Sequence, residues 1–243
     1  MPRPKKRYPL FLDLADRPVL VVGGGSVAER KVMTLLDYQA KLLVVAKQAS
    51  PGLKQLAAVG RIELALRPYL SADCSFQRLV FCATDDSALN RQVFLDAHRA
   101  GALCNVVDVP ALCDFFVPSS FSRGPLQVAV SSGGASPTLA KSIRRRLETE
   151  YDQSWGPYLE LLAAVRALLL EPGSTYQAQL EAMGVGRKEF FETLAELPLR
   201  KRVASGTEPS APEALQEALA VLADRQVSDG SATMPPCAPG AAL

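Results

Sequence analysis

The stretch Val19-Leu20-Val21-Val22-Gly23-Gly24-Gly25-Ser26-Val27-Ala28 decides the fold of this chain. The apolar residues predict a buried strand, and a segment with helical periodicity begins directly after the glycines. Gly23, Gly25 and Ala28 occupy the small-residue positions of a G-x-G-x-x-G/A pattern. There, the first glycine permits a tight turn, the second lets a pyrophosphate approach the backbone, and the third residue lets the helix pack closely on the strand. Because a helix N-terminus also attracts anions, the turn predicts a dinucleotide-binding site that includes Gly23 and Gly25.

Apolar strands alternate with helical segments over residues 8–113. Continuous apolar strands separated by helices are typical of a parallel sheet that is covered on both faces. We therefore expect an α/β fold with a Rossmann-like doubly wound parallel sheet. The other predicted strands are Leu42–Ala46, Ile62–Leu66, Leu79–Ala83 and Leu103–Val107, and the predicted helices are Val27–Asp37, one that begins at Ser50-Pro51, and Asp86–Ala100.

The pattern changes after Asp114. Two short strands are predicted, Phe115–Ser120 and Leu126–Val130, with a turn at Arg123-Gly124-Pro125 between them. A second glycine-rich turn, Ser131–Pro137, then opens a helix that runs to about Glu150. Its serine hydroxyls and backbone N–H groups could bind an anion, or the segment could be a flexible loop with a helix cap.

Composition and charge exclude several classes of protein. The chain has 243 residues, of which 48% are hydrophobic, and a net charge of +2, so no strong electrostatic attraction to nucleic acid or to a membrane is expected. The 5 cysteines form no C-x-x-C pair, which argues against a disulfide framework and fits a reducing, cytoplasmic location. No apolar run is long enough to span a bilayer, and no signal-peptide core follows the basic start. His98 is the only histidine, so we predict no resident metal site and no histidine-based triad.

Asp108 directly follows the last predicted strand of the sheet, in Asn105-Val106-Val107-Asp108. Ligands of open parallel sheets bind beyond the carboxyl ends of the strands, so Asp108 and the glycine turn should face one crevice. A carboxylate there could accept or relay a proton. The alternative is a loop aspartate that caps a turn before Val109-Pro110. Thr84, at the end of another strand, could contact a cofactor, whereas Asp85 or Asp86 is expected to cap the next helix.

The second strand of the sheet ends in Ala46-Lys47-Gln48. Many NAD sites place an acidic residue about 20 residues beyond the glycine turn, where it binds the ribose hydroxyls. Here Lys47 and Gln48 must supply such contacts, and a cation could tolerate a 2′-phosphate. From these residues alone, the choice between NAD and NADP stays open.

Five motifs in order resemble the precorrin-2 dehydrogenase / sirohydrochlorin ferrochelatase family, which includes the N-terminal half of bifunctional siroheme synthases. The resemblance covers about residues 8–150. The motifs are Tyr8-Pro9-Leu10-Phe11-Leu12-Asp13-Leu14, Val21-Val22-Gly23-Gly24-Gly25-Ser26-Val27-Ala28-Glu29-Arg30-Lys31, Phe81-Cys82-Ala83-Thr84-Asp85-Asp86, Asn105-Val106-Val107-Asp108, and Val128-Ala129-Val130-Ser131-Ser132-Gly133-Gly134-Ala135-Ser136-Pro137.

The resemblance implies an NAD-dependent oxidation of precorrin-2 to sirohydrochlorin, followed in some members by insertion of ferrous iron. It assigns Asp108 to both reactions, and it places Ser132, with its neighbours Ser131 and Gly133, near the tetrapyrrole pocket. It also implies a homodimer in which a middle segment interlocks two chains. The implied cofactor is NAD, with contacts from Ser26, Val27, Lys47, Gln48 and Thr84.

The expected organisation follows from this resemblance. We expect an NAD-binding Rossmann domain at 1–113, an α+β dimerisation and substrate segment at 114–150, a helical domain at 151–225 and a disordered tail at 226–243. Methylation of the tetrapyrrole precursor is expected to be the work of another protein. Iron insertion is left open, because some members of the family are dehydrogenases only. The alternative function is a non-catalytic regulatory module that senses NAD(H).

Overall fold

The computed structural model describes residues 6–228. These residues divide into two units. The first unit holds the chain up to Val117 together with Gly133–Ala135, and the second holds Pro118–Ser132 and the chain from Ser136 onward.

A five-stranded parallel sheet forms the centre of the first unit. The strand order is β3-β2-β1-β4-β5, so the order reverses between β1 and β4, where ligands of doubly wound sheets bind. The predicted fold class is confirmed. The strands are β1 (Pro18–Val22), β2 (Lys41–Ala46), β3 (Glu63–Leu66), β4 (Leu79–Cys82) and β5 (Leu103–Val106).

Both faces of this sheet are covered, which explains the continuous apolar strands. Alternate residues of β1 point to opposite faces, as the pleat requires. Val19 and Val21 pack in one apolar cluster with Val32, whereas Leu20 and Val22 pack in another with Val93. The helices of this unit are α1 (Ser26–Asp37), α2 (Pro51–Ala58) and α3 (Ser87–Arg99), and Ser71–Cys74 and Pro110–Leu112 form short 3-10 helices.

The second unit begins with a β-hairpin of β6 (Ser119–Arg123) and β7 (Leu126–Val130). Its two-residue turn contains Gly124, whose φ of +54° lies in the left-handed region. The predicted strand start at Phe115 is wrong. The Phe115 carbonyl accepts a hydrogen bond from a side chain instead of a strand partner, and Pro118 has no N–H to donate to a ladder.

The remaining helices are α4 (Pro137–Glu150), α5 (Trp155–Leu170), α6 (Thr175–Ala182), α7 (Arg187–Glu196), α8 (Leu199–Ala204) and α9 (Ala211–Ser228). Helix α4 packs on the β-hairpin, whereas α5 to α9 surround an apolar core of their own. Val165, Phe190 and Leu215 are fully buried in this core. The apolar positions of these five helices recur at helical spacing, so each buries one face against the others.

Helix α9 continues beyond the predicted start of the disordered tail at residue 226. The side-chain amide of Gln226 donates a hydrogen bond of 2.7 Å to the Met183 carbonyl, which holds the last turn of α9 against the preceding helices. The rest of the predicted tail, 229–243, lies outside the described residues, as do residues 1–5 of the basic start. None of the helices in the described range is both long and apolar enough to cross a membrane.

Candidate functional site

The glycine turn after β1 leaves no room for side chains at its first two positions. Gly23 has a φ of +125°, and a Cβ atom built on it would lie 2.2 Å from the backbone oxygen of Ala83. A Cβ atom on Gly24 would lie 1.9 Å from the backbone oxygen of Gln48. The turn therefore crosses closely over the chain where it leaves β4 and β2, and only glycine permits this approach.

Gly25 differs from its two neighbours because the space beside it is open. No atom of residues 6–228 lies within 4 Å of a Cβ atom built on Gly25. Gly25 is the N-cap of α1, a helix of 12 residues, and no side chain in this described range caps it. The first N–H groups of a helix lack acceptors within the helix and carry its positive dipole end. Gly25, with the exposed Ser26 and half-buried Val27 behind it, thus fits the pyrophosphate of a dinucleotide.

The chain after β2 would meet the adenosine end of such a ligand. Lys47 and Gln48 are both exposed directly after this strand, and the Gln48 backbone lies against Gly24. No carboxylate occupies this position. Their side chains can donate hydrogen bonds to ribose hydroxyls, as the sequence predicts.

Thr84 follows β4 and is held by a residue that sequence reasoning missed. Its hydroxyl donates a hydrogen bond of 2.6 Å to Oδ1 of Asn90, and the Asn90 amide donates one of 3.0 Å to the Thr84 carbonyl. Asp86, rather than Asp85, caps α3 by accepting hydrogen bonds from two backbone N–H groups. Asn90 lies one helical turn beyond this cap. Its burial would have indicated a structural role, but burial is known only from the folded chain.

The ladder of hydrogen bonds places Asp108 at the same edge of the sheet as the glycine turn. The Ala83 N–H donates to the Val22 carbonyl at 2.8 Å, and the Val107 N–H donates to the Cys82 carbonyl at 2.9 Å. Strands β1, β4 and β5 therefore end side by side, and Asp108 follows directly. Its location is the predicted one.

Asp108 has a left-handed backbone, with φ of +60°. It lies in a turn that the Val109 N–H closes onto the Val106 carbonyl at 3.2 Å. In the part of the chain that the structure describes, no side chain caps the short 3-10 helix Pro110–Leu112, and Asp108 is exposed. The structural alternative, a capping role for Asp108, therefore has no contact to support it.

The second glycine-rich turn is ordered by its own hydroxyls. Oγ of Ser132 accepts a hydrogen bond of 3.0 Å from the Ser136 N–H, and Oγ of Ser136 caps α4 by accepting one of 3.2 Å from the Leu139 N–H. Ser131 is exposed, and Gly133 has a φ of +65°. In the first unit, a Cβ atom on Gly134 would lie 3.1 Å from Cε2 of Phe116. Hydrogen bonds within the segment thus define its conformation, and Ser136 is the predicted cap of α4.

Residues 6–228 contain no group of three or more His, Cys, Asp or Glu side chains that could hold a metal ion. His98 binds Asp114 through Nε2 at 2.9 Å, and the same carboxylate accepts a hydrogen bond of 2.8 Å from the Cys104 N–H. His98 therefore supports the chain after β5.

Comparisons with known proteins agree with this geometry. A family model for NAD(P)-binding domains matches residues 10–119, and the family model "Sirohaem biosynthesis protein central" matches residues 123–150. Siroheme synthases from Methylobacillus flagellatus and Pseudomonas paraeruginosa are 39% and 41% identical to this chain, over 211 and 212 residues. Each alignment covers 87% of this chain and 44% of the relative, so the chain spans less than half the length of these relatives.

This chain also matches a solved structure over nearly the full length of the other protein. SirC, a precorrin-2 dehydrogenase, superimposes with a TM-score of 0.66 and 29% sequence identity. The match covers 87% of this chain and 98% of that protein. With both family models matching in order along the sequence, this chain belongs to the precorrin-2 dehydrogenase / sirohydrochlorin ferrochelatase family.

Proposed function

We propose that this chain catalyses the NAD-dependent oxidation of precorrin-2 to sirohydrochlorin in siroheme biosynthesis. The observation that carries the proposal is the shared sheet edge. The open N-cap of α1 at Gly25 follows β1, and the exposed carboxylate of Asp108 follows β5; these parallel strands flank β4 and end at the same edge of the sheet. A dehydrogenation needs both a dinucleotide site and a group that takes a proton.

Different residues bind the cofactor and accept the proton. Gly23, Gly25, Ser26 and Val27 hold the pyrophosphate, and the cofactor's other polar contacts come from Lys47, Gln48 and Thr84. Bound there, NAD⁺ supplies the hydride acceptor for the two-electron oxidation. Asp108 accepts the proton that the substrate loses with the hydride, so charge and electrons balance.

The serine-glycine turn has the chemistry to bind the substrate. Precorrin-2 carries several carboxylates, which bind well to hydroxyl and backbone N–H donors. Ser131, Ser132 and Gly133 supply such donors at the start of α4, a helix of 14 residues. We assign these residues to substrate binding.

Ferrous iron is proposed as a further substrate. The sirohydrochlorin macrocycle itself supplies nitrogen ligands, so the protein's part is to remove pyrrole protons. Asp108 is suited to this because it is exposed and makes no hydrogen bond among the described residues. Anaerobic incubation of the protein with sirohydrochlorin and ferrous iron, compared with the protein-free rate, tests this second activity. An unchanged rate would limit the chain to dehydrogenation.

The assembly and location follow from the same family. We propose a homodimer formed through the segment 114–150 and a cytoplasmic location. Cys74, Cys82, Cys104 and Cys113 are all free thiols, which supports a reducing compartment. Light scattering after size-exclusion chromatography tests the dimer, because a monomer at micromolar concentration would contradict it.

The deciding experiment combines purified protein, NAD⁺ and precorrin-2. We expect NADH and sirohydrochlorin to accumulate together, and Asp108→Ala to bind NAD⁺ normally while losing turnover. The competing function is a non-catalytic module that senses NAD(H). Tight NAD(H) binding by a folded protein that produces no NADH would favour that module and refute the dehydrogenase.

A further inference from the structure

Lys31 lies in the second turn of α1 and extends over the sheet toward β4. Its Nζ atom is 5.7 Å from the centroid of the Phe81 ring, a distance at which a cation is attracted to an aromatic face. Phe81 is 3% exposed, and its ring forms a T-shaped pair with the Phe115 ring, with 5.4 Å between the ring centroids. The side chain of Lys31 is therefore half-buried against a fixed aromatic surface.

Lys31 forms no ion pair within 4.0 Å among residues 6–228. Burial lowers the pKa of its ammonium group, and Arg30 on the same helix lowers it further, whereas Asp108 raises it. Glu29, which is close to Lys31 in sequence, does not serve as its partner. The Glu29 carboxylate lies beside Gly52 of α2. Within residues 6–228, Asp108 thus supplies the carboxylate that raises the pKa of Lys31.

The chain holds the backbone of Asp108 but leaves its carboxylate without a hydrogen bond among the described residues. Its backbone is fixed, since the thiol of Cys113 donates to the carbonyls of Val106 and Val109 on either side of it, at 3.1 and 3.3 Å. Its side chain, however, makes no hydrogen bond among the described residues and is exposed. The hydrogen bonds of Cys113 therefore fix the backbone position of Asp108 but not the orientation of its carboxylate.

We propose that Lys31 is a positioning residue, whose ammonium group rests on the Phe81 ring and attracts the Asp108 carboxylate toward the crevice at the sheet edge. This inference rests on the proposed function, in which Asp108 accepts the substrate's proton. A mobile carboxylate would spend less time in a productive position, so Lys31 acts on the chemical step rather than on binding.

The first test measures the electrostatic interaction between Lys31 and Asp108 without any turnover. An amine-selective acylating reagent is applied over a pH series to the wild-type protein and to Asp108→Asn, and mass spectrometry measures the labelling of Lys31 against the exposed Lys54. Because Asp108 raises the pKa of Lys31, its loss should move the midpoint of Lys31 labelling to lower pH. An unchanged midpoint would overturn the inference.

The second test is a double-mutant cycle in the precorrin-2 assay. We expect Lys31→Met to lower kcat by roughly tenfold with the KM values for NAD⁺ and precorrin-2 unchanged, as is usual for interacting neighbours. Lys31→Arg, which restores the charge, should recover most of this loss, and Lys54→Met on α2 is the matched control. In an Asp108→Asn background, where the residual turnover is measured at high enzyme concentration, Lys31→Met should lower kcat no further.

The outcomes separate the two proposals. An equal loss in both backgrounds would show that Lys31 acts only through the fold, and a raised KM for precorrin-2 alone would make it a substrate-binding residue; either result overturns the positioning role. If the wild-type protein has no turnover, the proposed dehydrogenase fails, while the labelling experiment still decides whether Lys31 and Asp108 interact.

Discussion

The side-chain amide of Asn105 donates a hydrogen bond of 2.8 Å to the backbone carbonyl of Phe115. Asn105 lies within β5 and is 8% exposed, and it also pairs with Cys113 in an isolated antiparallel bridge. These contacts close the base of the loop that carries Asp108. A buried amide therefore helps to hold the conformation of the candidate catalytic loop, together with the contacts of Cys113.

Asn105→Asp should destabilise the protein, because a carboxylate cannot donate to the Phe115 carbonyl. We expect the free energy of unfolding to fall by about 1–3 kcal/mol, the usual cost of an unsatisfied buried polar group. Urea denaturation measures this, with Gln179→Glu on an exposed face of α6 as the matched amide-to-acid control. Equal stability of the two variants would show that the Asn105 hydrogen bond does not hold the loop.

Two glycines of one motif should respond differently to alanine. At Gly23 the new methyl group would meet the Ala83 backbone, and the φ of +125° is unfavourable for alanine, so we expect a loss of roughly 3 kcal/mol or more. At Gly25 the methyl group enters open space, so Gly25→Ala should lower stability by less than about 1 kcal/mol.

The same Gly25→Ala variant should bind NAD⁺ at least about tenfold more weakly, since its methyl group occupies the approach of the pyrophosphate. Thermal denaturation and calorimetric titration with NAD⁺ measure the two effects separately. Normal affinity in a folded Gly25→Ala protein would place the pyrophosphate away from this turn.

Ser132→Asp should weaken tetrapyrrole binding, because its negative charge repels substrate carboxylates. Ser136→Ala is the control: it removes the cap of α4 and should cost about 1 kcal/mol of stability while leaving the hydroxyl at residue 132 in place. Fluorescence titration with sirohydrochlorin measures affinity for both variants. Unchanged affinity for Ser132→Asp would remove this serine from the binding site.

Arg67→Met should make the free energy of unfolding less dependent on pH in the acidic range. Arg67 binds both carboxylate oxygens of the buried Asp73, at 2.6 and 2.8 Å, and holds the pKa of that carboxyl below its ordinary value. A lowered pKa stabilises the folded state above the ordinary range of an aspartic acid, and this contribution is lost as the pH falls through the lowered value.

We therefore expect Arg67→Met to lower the free energy of unfolding at neutral pH, and to lower it progressively less as the pH falls and Asp73 becomes protonated. Urea denaturation over a pH series follows the difference from the wild-type protein. Lys188→Met, which breaks a pair that is exposed on both sides, should change stability by less than about 1 kcal/mol. A pH-independent loss in Arg67→Met would show that ordinary packing, rather than the Asp73 charge, is responsible.

Local patterns predicted most of the fold. A run of apolar residues before a glycine turn, alternation of strands with helices, and serine-proline helix starts each depend on neighbours in sequence, so β1, α1 and the caps at Ser50 and Ser136 lie where expected. The strand start at Phe115 was wrong because a distant side chain, Asn105, takes the carbonyl that a strand would use.

The sequence by itself determined the parallel sheet, the glycine turn and the arrival of Asp108 at the same edge, because strand direction and chain order dictate which ends meet. Only the tertiary structure decided the left-handed backbone of Asp108, the hydrogen bond between Thr84 and Asn90, and the position of the half-buried Lys31 over the Phe81 ring. These features depend on burial and on contacts between residues far apart in the chain, which no local pattern encodes.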